Sequence, residues 1–587
     1  MILQKLLLPS EAICNNKEMY FRGDGISLGE KGIEIAKGGF FDTDTYFNSF
    51  SLIKWKKYTV LKSLKLRLRL KGKCEVYLCG VYIDKEKVIR RKFDNKPAAV
   101  AEAKAFKTFE FEFPEINTEL VYFRIKSLSA TTVIESAEYF DDTSESDLKD
   151  VKMVLGVCTY KRESFVFSNI DRIKKTILEN EKSCLYSKLD IIIADNGRTL
   201  PVRVLNRGAV SVFKNRNLGG SGGFTRCLIE AKKRQIDKGY THIVFMDDDT
   251  LLDPNVLERN YIFLKYLKDG YSDAMIGGAM LVLEDKIRQF ENGARLEGGK
   301  FVFKNKNLNL SLLRNIIVNS YEQENNFNAW CYCCMPLSKI DLYNLPLPLF
   351  IHMDDAEYGV RNHFKVINVN GICLWHPFAT NMRGASIVYY DMRNKLIALS
   401  MLGGVDLKEY AVEWLRTFRK NIFVYDYNRT LAACDGIKEY LKGIDSFMKL
   451  DAVATNKRVL KYNTPWVPAS DVVRHNVTAP EKIDSIWKKR LRKLLNFLLP
   501  CNKIRVVRTC DISEADPYRA WKLILFNPKN NTCAVYKKSR KMTLKCWFEC
   551  KKTEKLIMKK MDTVSLEWRV RIKELTSYDF WKKYLGI

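Results

Sequence analysis

Residues 241–249 read THIVFMDDD, so an apolar β-type strand ends in three consecutive carboxylates. A loop containing Asp253 and Pro254 follows. Like charges side by side are unfavourable unless a cation neutralises them. Mg²⁺ and Mn²⁺ prefer oxygen ligands and usually also hold substrate phosphates. The triplet therefore indicates a metal and diphosphate site, with a solvated acidic turn as the alternative.

Short apolar strands alternate with helical stretches around this segment. Residues 153–157 read MVLGV, residues 189–197 read LDIIIADNG, and residues 210–213 read VSVF. This alternation predicts an α/β domain with a mainly parallel sheet, whose ligands bind beyond the carboxyl ends of the strands. We expect the polar residues at those ends to converge on one cleft. They are Thr159, Arg162, Asp195, Asn196, Asp247, Asp248 and Asp249.

The flanking regions differ from this central part. Residues 64–70 (LKLRLRL) and 109–113 (FEFEF) alternate with period two, which predicts antiparallel strands and an N-terminal β-sandwich. The chain becomes helical after about residue 405, with candidate helices at 407–423 and 431–450. We therefore expect a multidomain α+β protein with a β-sandwich over 1–146, an α/β domain over 147–405 and a helical, basic region over 406–587.

The chain of 587 residues carries a formal charge of +29, which favours anionic partners. Residues 481–587 hold 27 Lys/Arg and 11 Asp/Glu, a net +16. Within them, residues 487–495 read WKKRLRKLL, an amphipathic basic pattern typical of either a peripheral membrane contact or a solvated helix packed on its own domain. No nucleic-acid motif is present, so no nucleic-acid partner is expected.

The sequence also predicts where in the cell the protein is located. No apolar run reaches the roughly 20 residues that span a bilayer, so any membrane contact is expected to be peripheral. The 16 cysteines are scattered, and no signal peptide is recognised at the start. We expect a cytoplasmic protein with reduced thiols, either free or bound at the inner face of the plasma membrane.

Two further segments are candidates for chemistry. Residues 217–226 (NLGGSGGFTR) form a glycine-rich stretch before a helix, typical of either a loop near a bound anion or a flexible turn. Asp354, Asp355 and Glu357 form a second acidic cluster, which indicates a base over an acceptor hydroxyl. Glu357 could instead pair with Arg361 one helical turn later.

Two rings complete the set of candidates. His376 closes a predicted strand, and a neutral imidazole is a good third ligand for Mn²⁺ beside the acidic triplet; a hydrogen-bonded core histidine is the alternative. Trp330 offers an apolar face on which a sugar ring could stack, and core packing is equally compatible with its position.

Together these motifs resemble a known enzyme family. The pattern Thr-Tyr-x-Arg at residues 159–162, the turn at 195–197 and the acidic triplet resemble inverting GT-A glycosyltransferases of family 2. Narrower features are similar to the galactofuranosyltransferases that polymerise cell-wall galactan. They are residues 45–50, 55–58, 217–224, 354–359, 375–376 and 389–394.

This resemblance implies a jelly-roll-like sandwich followed by a GT-A domain. It also implies a UDP-galactofuranose donor, a Mn²⁺ or Mg²⁺ ion and inversion at the transferred sugar. The implied partners are a glycan acceptor, which could be lipid-linked, and further copies of the chain in a homo-oligomer. The implied metal ligands are Asp247, Asp249 and His376. The implied base is Asp355, with Asp354 and Trp330 at the acceptor. The implied donor contacts are Thr159, Tyr160, Arg162, Asp195, Asn196, Asn217, Asp247 and Asp248.

One departure leaves alternatives open. Trp330 is followed by Cys331, where the family tends to have adjacent aromatics, so the acceptor subsite is expected to differ. The same fold could use another sugar nucleotide, such as one carrying rhamnose or glucose. A non-catalytic carbohydrate- or polyanion-binding protein and a nucleotidyltransferase are the alternatives from other classes.

Overall fold

The fold is taken from a computed structural model that describes residues 1–378, 384–471, 485–509, 517–528 and 530–587. Two compact units are formed. The first contains Met1–Pro346, Tyr358–Phe378 and Lys582–Ile587; the second contains Leu347–Glu357 and Ala379–Trp581.

Residues 1–140 of the first unit form an antiparallel β-structure. Its strands are β1 Ile2–Lys5, β2 Arg22–Gly29, β3 Gly32–Asp42, β4 Lys65–Ile83, β5 Ile89–Lys92, β6 Ala99–Glu112, β7 Leu120–Ser127 and β8 Thr131–Phe140, with helix α1 Leu52–Tyr58 between β3 and β4. All pairings among these strands are antiparallel. Leu66, Leu68 and Leu70 of β4 are fully buried while alternate residues are not. The alternating antiparallel strands predicted from the sequence are confirmed.

The central part of the first unit is an α/β structure. Its strands are β9 Met153–Thr159, β10 Leu189–Asp195, β11 Val210–Lys214, β12 His242–Asp247, β13 Met275–Val282, β14 Asp285–Glu291, β15 Arg295–Glu297, β16 Lys300–Val302, β17 Leu308–Asn309, β18 Tyr332–Pro336 and β19 Val366–His376. Its helices are α2 Glu163–Ile173, α3 Val202–Leu205, α4 Gly219–Lys233, α5 Gln235–Lys238, α6 Asn255–Tyr266, α7 Leu313–Ser320 and α8 Asp354–Arg361, which crosses from the second unit into the first.

The main sheet has a parallel half and a mixed half. Its order is β11-β10-β9-β12-β18-β13-β14-β17, with β19 beside β13. The first four strands are parallel, and β13 is also parallel to β19. The other pairings are antiparallel. The expected mainly parallel sheet is therefore wrong for the second half. The turn between β13 and β14 is too short for the crossover that parallel strands need.

The β-structure and the α/β part share aromatic packing within the first unit. Trp55 of α1 meets Phe263 and Tyr266 of α6 edge-on, with ring centroids 5.2 and 5.5 Å apart. Phe47 lies 5.8 Å from Trp375 of β19. Because each of these rings is buried, their removal would leave a cavity that neighbouring groups fill only partly.

The second unit is mainly helical. Its helices are α9 Ala385–Leu402, α10 Leu407–Arg419, α11 Tyr427–Tyr440, α12 Ile444–Met448, α13 Ala452–Val459, α14 Ile486–Leu498, α15 Arg540–Arg571 and α16 Tyr578–Leu585, whose last residues belong to the first unit. A four-stranded sheet, not predicted from the sequence, joins them. Its strands are β20 Trp466–Pro468, β21 Lys503–Arg508, β22 Ala520–Asn527 and β23 Thr532–Lys537.

The second predicted helix of this region has different bounds. The segment expected to run from 431 to 450 is divided between α11 and α12. Asp426 caps α11 by accepting a hydrogen bond from the backbone N–H of Arg429. Gly443 has a φ of +83°, which lies outside the helical region. This residue therefore separates the two helices. Along the described residues, no helix combines the length and apolar character needed to cross a membrane.

His242, at the start of β12, links the stability of the main sheet to pH. Its Nε2 atom is buried, and burial, aided by the charge of Lys149, lowers its pKa to about 4. An unfolded histidine titrates near 6.5. The folded protein therefore prefers neutral His242, and the stabilisation is complete above pH 6.5 and lost as the pH falls towards 4.

We predict that His242→Gln reduces the acid sensitivity of folding. A shift of about 2.5 pKa units at 1.36 kcal/mol each corresponds to a loss of at most about 3 kcal/mol in unfolding free energy between pH 6.5 and 4. The melting temperature of the variant should fall less over this range than that of the wild type. His363→Asn, at an exposed position, is the control and should follow the wild type. Equal pH dependence in all three proteins would contradict the prediction.

Candidate active site

Three polar residues lie side by side where parallel strands end. Strand β9 ends at Thr159, β10 at Asp195 and β12 at Asp247. The strand register pairs Asp195 with Thr159, and Asp247 with Cys158. The ends of β10, β9 and β12 thus form one edge. The convergence of these strand-end residues follows from the pairing itself.

His376 is brought to the same edge by the last strand of the sheet. Leu251, just after the acidic triplet, and Trp375 exchange two backbone hydrogen bonds of 2.8 and 3.0 Å. His376 Nε2 consequently lies 3.4 Å from Asp247 Oδ2 and 3.6 Å from Asp249 Oδ1. Residues more than 120 positions apart are joined in one cluster.

The donor set of this cluster fits a divalent cation. One ligand atom from each of Asp247, Asp249 and His376 lies within 4.8 Å of the others. His376 Nδ1 is 2.8 Å from the carbonyl oxygen of Pro377, which can only accept a hydrogen bond. Nδ1 therefore carries the proton, and Nε2 is directed towards the carboxylates. A backbone carbonyl that orients the imidazole is typical of metal-binding histidines.

Two cationic groups lie against the acidic triplet. Arg162 Nη1 contacts Asp248 Oδ1 at 3.0 Å and also contacts Asp249. Burial raises the pKa of Asp248, and the charge of Arg162 opposes this. Burial opposes protonation of His376, but its hydrogen bond with Asp247 and the neighbouring carboxylates outweigh burial and raise its pKa to about 9.

The residues predicted to hold the donor occupy the same edge in different environments. Asp195 is fully buried and accepts hydrogen bonds from the N–H groups of Gly197 and Leu200 at 3.0 and 2.9 Å, so it shapes the turn after β10. Tyr160 is 48% exposed and available to a ligand.

Asn196 and Asn217 both contact the first residue of α4. Asn196 Nδ2 donates to the Gly219 carbonyl at 2.9 Å, and Asn217 Oδ1 accepts from the Gly219 N–H at 3.2 Å. The glycines expected in a loop before the helix instead form its first turns. A Cβ atom on Gly223 would lie 2.0 Å from Cys158 Sγ, so glycine is required for α4 to approach β9.

Trp330 lies in an aromatic cluster. It is 4% exposed and meets Phe224, Phe245 and Tyr358 in T-shaped contacts with centroids 5.1 to 6.0 Å apart. Its buried indole N–H has no hydrogen-bond partner among the described residues. The predicted contact of Trp330 with an acceptor stays a prediction.

The second acidic cluster opens helix α8 in the second unit. Asp354 is buried, and this burial together with the charge of Asp355 raises its pKa to about 7. Asp355 is partly exposed, and its Oδ1 accepts a hydrogen bond from the Ala356 N–H at 2.7 Å. Glu357 is fully buried. Two adjacent carboxyl groups thus differ in environment, as an acid–base pair requires.

Sequence reasoning missed two features of the site. Arg162 was predicted to lie in one cleft with the acidic triplet, but its direct ion pairs with Asp248 and Asp249 were not predicted. The Pro377 carbonyl that orients His376 was also missed, because a backbone acceptor leaves no mark in side-chain spacing.

The chain is also similar in sequence to known proteins. Residues 3–142 match the family model described as "Galactofuranosyltransferase 2 N-terminal". The protein named galactofuranosyltransferase GlfT2 from Mycolicibacterium smegmatis is 24% identical over 476 residues, covering 74% of this chain and 71% of that protein. Its namesake from Mycobacterium tuberculosis is 25% identical over 387 residues, covering 61% and 58%.

The chain is therefore a glycosyltransferase that is similar to GlfT2 over most of its length. Among solved structures, the xylan-binding CBM22-1 domain of Paenibacillus barcinonensis Xyn10C aligns with 24% of the GlfT2-like chain and 96% of its own, at 6% identity and a TM-score of 0.17. A score this low carries no argument about fold or ligand.

We predict that this GlfT2-like enzyme binds Mn²⁺ through the Asp247, Asp249 and His376 cluster. Titration calorimetry without substrate should show that Asp249→Asn and His376→Ala each weaken binding by about tenfold or more, since removing a supporting group alone costs 10–100-fold. Because His376 must lose its proton to bind a metal, affinity should rise with pH up to about 9.

Asp269→Asn serves as the matched control. Asp269 is an exposed carboxylate in the same unit, at 3.1 Å from Lys149, and its loss should leave Mn²⁺ binding unchanged. Unaltered Mn²⁺ affinity in both cluster variants would contradict the prediction.

Proposed function

We propose that this glycosyltransferase is an inverting, metal-dependent galactofuranosyltransferase. It would transfer galactofuranose from UDP-galactofuranose to a glycan acceptor in cell-surface polysaccharide synthesis. We further propose that its central domain has the GT-A fold, that its N-terminal strands form a jelly-roll-like sandwich, and that it works as a homo-oligomer.

One observation carries this proposal. Two carboxylates and an oriented imidazole meet within 4.8 Å at the carboxyl ends of β12 and β19 in the main sheet, the position where α/β proteins bind ligands. This is an oxygen-rich donor set, suited to a hard cation and the diphosphate it holds. The names of the two GlfT2 relatives support galactofuranose as the transferred sugar.

Several residues of the site would hold the donor. Arg162 offers a guanidinium to the diphosphate, and Tyr160 offers an exposed ring to the uridine. Asp248 would face the donor sugar. The full set proposed for donor binding is Thr159, Tyr160, Arg162, Asp195, Asn196, Asn217, Asp247 and Asp248.

Asp247, Asp249 and His376 would hold Mn²⁺ or Mg²⁺. When bound, this ion supplies positive charge that stabilises the departing diphosphate. Arg162 adds a fixed positive charge beside Asp248 and Asp249, and such preorganised charge needs no rearrangement during the reaction.

Asp355 is proposed as the catalytic base. It would take the proton of the attacking acceptor hydroxyl while that oxygen bonds to the anomeric carbon on the face opposite UDP. The bond from that carbon to the UDP oxygen breaks in the same step, UDP leaves with the electron pair, and the configuration inverts. Asp354 is buried beside Asp355, and this burial raises the pKa of its carboxyl, which favours the protonated form that can donate a hydrogen bond to an acceptor hydroxyl. Trp330 is proposed to contact the acceptor ring.

We predict that Asp355→Asn lowers kcat for transfer by about 10² to 10⁴-fold, because an amide cannot accept the hydroxyl proton. The donor is held by other residues, so calorimetric affinity for UDP with Mn²⁺ should stay unchanged. The measurement is UDP release and acceptor product formation with UDP-galactofuranose, and in parallel with UDP-galactopyranose, UDP-glucose and a rhamnose nucleotide.

Asp341→Asn, an exposed carboxylate, is the control and should retain full activity. Retained turnover of Asp355→Asn would overturn the base assignment. Transfer only from another sugar nucleotide would reject galactofuranose and keep the glycosyltransferase chemistry. Release of pyrophosphate in place of UDP would indicate a nucleotidyltransferase, and ligand binding without any product would indicate a binding protein.

A peripheral contact with an anionic membrane is also proposed, as expected for an enzyme whose acceptor is lipid-linked. Helix α14 presents apolar side chains at a spacing of four, three and four residues, which places them on one face. Trp487 is 70% exposed and Leu494 is 55% exposed, and Leu491 and Leu498 are exposed on the same face.

Contacts within the second unit hold the other side of α14. Asn496 Nδ2 donates to Tyr425 Oη at 2.9 Å, and Lys493 Nζ lies 4.2 Å from the Phe423 ring centroid. The apolar face therefore points away from these partners. The net +16 of residues 481–587 matches a negatively charged bilayer surface.

We predict that replacing Trp487 and Leu494 together by Ser lowers binding of the full chain to vesicles containing phosphatidylglycerol several-fold, because apolar burial at the interface is lost. Co-sedimentation with these vesicles and with phosphatidylcholine vesicles measures it. Replacing the exposed Leu566 and Val570 of α15 by Ser is the control. Equal binding of both double variants and the wild type would contradict the membrane contact.

A further inference from the structure

The loop before Asp354 has an unusual backbone. Phe350, His352 and Met353 have φ values of +74°, +65° and +74°. Residues with a Cβ atom rarely adopt this left-handed region, and they keep it only when the surroundings hold them there. Other groups of the second unit must therefore hold this loop in the conformation that leads into Asp354 and Asp355.

Asn394 of α9 supplies the largest part of this restraint. Its side chain is fully buried. Its Nδ2 atom lies 3.2, 2.7 and 3.0 Å from the carbonyl oxygens of Leu349, Ile351 and His352, to which it donates. One amide group thus binds three carbonyls within four consecutive loop residues. The Asn394 Oδ1 atom accepts from Arg393 Nε at 2.9 Å, which fixes the orientation of the amide.

Two neighbours of Asn394 add to the restraint. Arg393 is buried, and its Nη2 donates to the Leu349 carbonyl at 2.8 Å. The Tyr390 ring stacks on the ring of Phe350, with centroids 5.6 Å apart and planes inclined by 17°. The motif at residues 389–394, which the proposed mechanism does not use, therefore has most of its side chains directed at this loop.

Asp391 of the same motif pairs with the loop histidine. His352 Nδ1 lies 3.0 Å from Asp391 Oδ1. Burial of His352 opposes its protonation, but the hydrogen bond with Asp391 and the charges of Asp391, Asp354 and Asp355 outweigh burial and raise its pKa. Lys395 and Tyr410 also face Asp391, and burial lowers the pKa of Lys395 and raises that of Tyr410. The charge of His352 in turn opposes the effect of burial on the pKa of Asp354.

We propose that residues 389–394 are the positioning device for the Asp354 and Asp355 carboxylates. Asn394 fixes the loop that leads into them, and Asp391 holds a cationic His352 imidazole next to them. Asn394 and Asp391 act through other residues and touch no reacting atom. The inference rests on the proposed role of Asp355, but its first tests need no transferase activity.

The His352–Asp391 pair is tested by Asp391→Asn. The chain has five histidines, so imidazole NMR of selectively labelled protein can follow each titration. We expect the pKa of His352 to fall by about one unit or more when its anionic partner is removed. Asp562→Asn, which removes an exposed carboxylate of the same unit, should leave it unchanged. An unaltered His352 titration in Asp391→Asn would overturn the electrostatic part of the proposal.

The same variant has a distinct kinetic signature. Losing the His352 charge makes the adjacent carboxylates harder to ionise, so the acid limb of the kcat profile should move to higher pH. His352→Gln should cause the same shift, because it removes the cation directly. A uniform drop in kcat without displacement of the limb, in both variants, would indicate a structural role only. If the wild type transfers no sugar, the proposed function fails while the NMR result still stands.

The loop restraint is tested by Asn394→Asp. This change keeps the side-chain volume and the acceptor for Arg393, and removes both N–H donors to the loop. Hydrogen exchange in peptides covering residues 347–357 should accelerate at least tenfold, and kcat should fall by about tenfold or more while the UDP affinity is retained. Asn421→Asp, a side chain that donates to Phe418 in the same unit, is the control. Unchanged exchange in a variant with a normal melting temperature would overturn the role of Asn394.

Discussion

The concentration of negative charge at the end of β12 is the constraint on which the site depends. Two like charges about 4 Å apart repel by about 4 kcal/mol at an effective dielectric constant of 20. Asp247, Asp248 and Asp249 are nevertheless adjacent, and Asp248 is buried. Arg162 contacts Asp248 and Asp249, and His376 contacts Asp247 and Asp249, so these two groups offset the repulsion. A cation bound at this cluster would complete the compensation.

The way these charges are assembled explains why the sequence revealed them. In a parallel sheet, each buried strand ends at the same edge, so an apolar run followed by a polar residue is enough to place that residue. Thr159, Asp195 and Asp247 were predicted on this basis, and the register of β10, β9 and β12 aligns them. His376 was predicted from its position at a strand end, and the bridge between Leu251 and Trp375 brings it to the cluster.

Other features could not be read from local patterns. The antiparallel pairings of the main sheet depend on which strands become neighbours, and that is set by long-range packing. In the sheet β20–β23, helix α14 and two strands lie between β20 and its partner β23, so no short-range signal joins those two strands. Gly443, which separates α11 from α12, was overlooked within an apolar periodic pattern. The loop before Asp354 is held by side chains of α9, some 40 positions later in the chain.

The two groups of carboxylates proposed to act in the reaction are therefore held by different physical means. Asp195 and Asp247 are placed by main-chain strand pairing, which any apolar side chains of suitable size can support. Asp354 and Asp355 follow a left-handed loop whose conformation depends on a few buried polar side chains, above all Asn394. Removing one buried hydrogen-bond donor leaves carbonyls unsatisfied, so such a loop tolerates little change. Because the proposed donor contacts rest on the sheet and the proposed base rests on this loop, substitutions in α9 should separate catalysis from donor binding more cleanly than substitutions in the sheet.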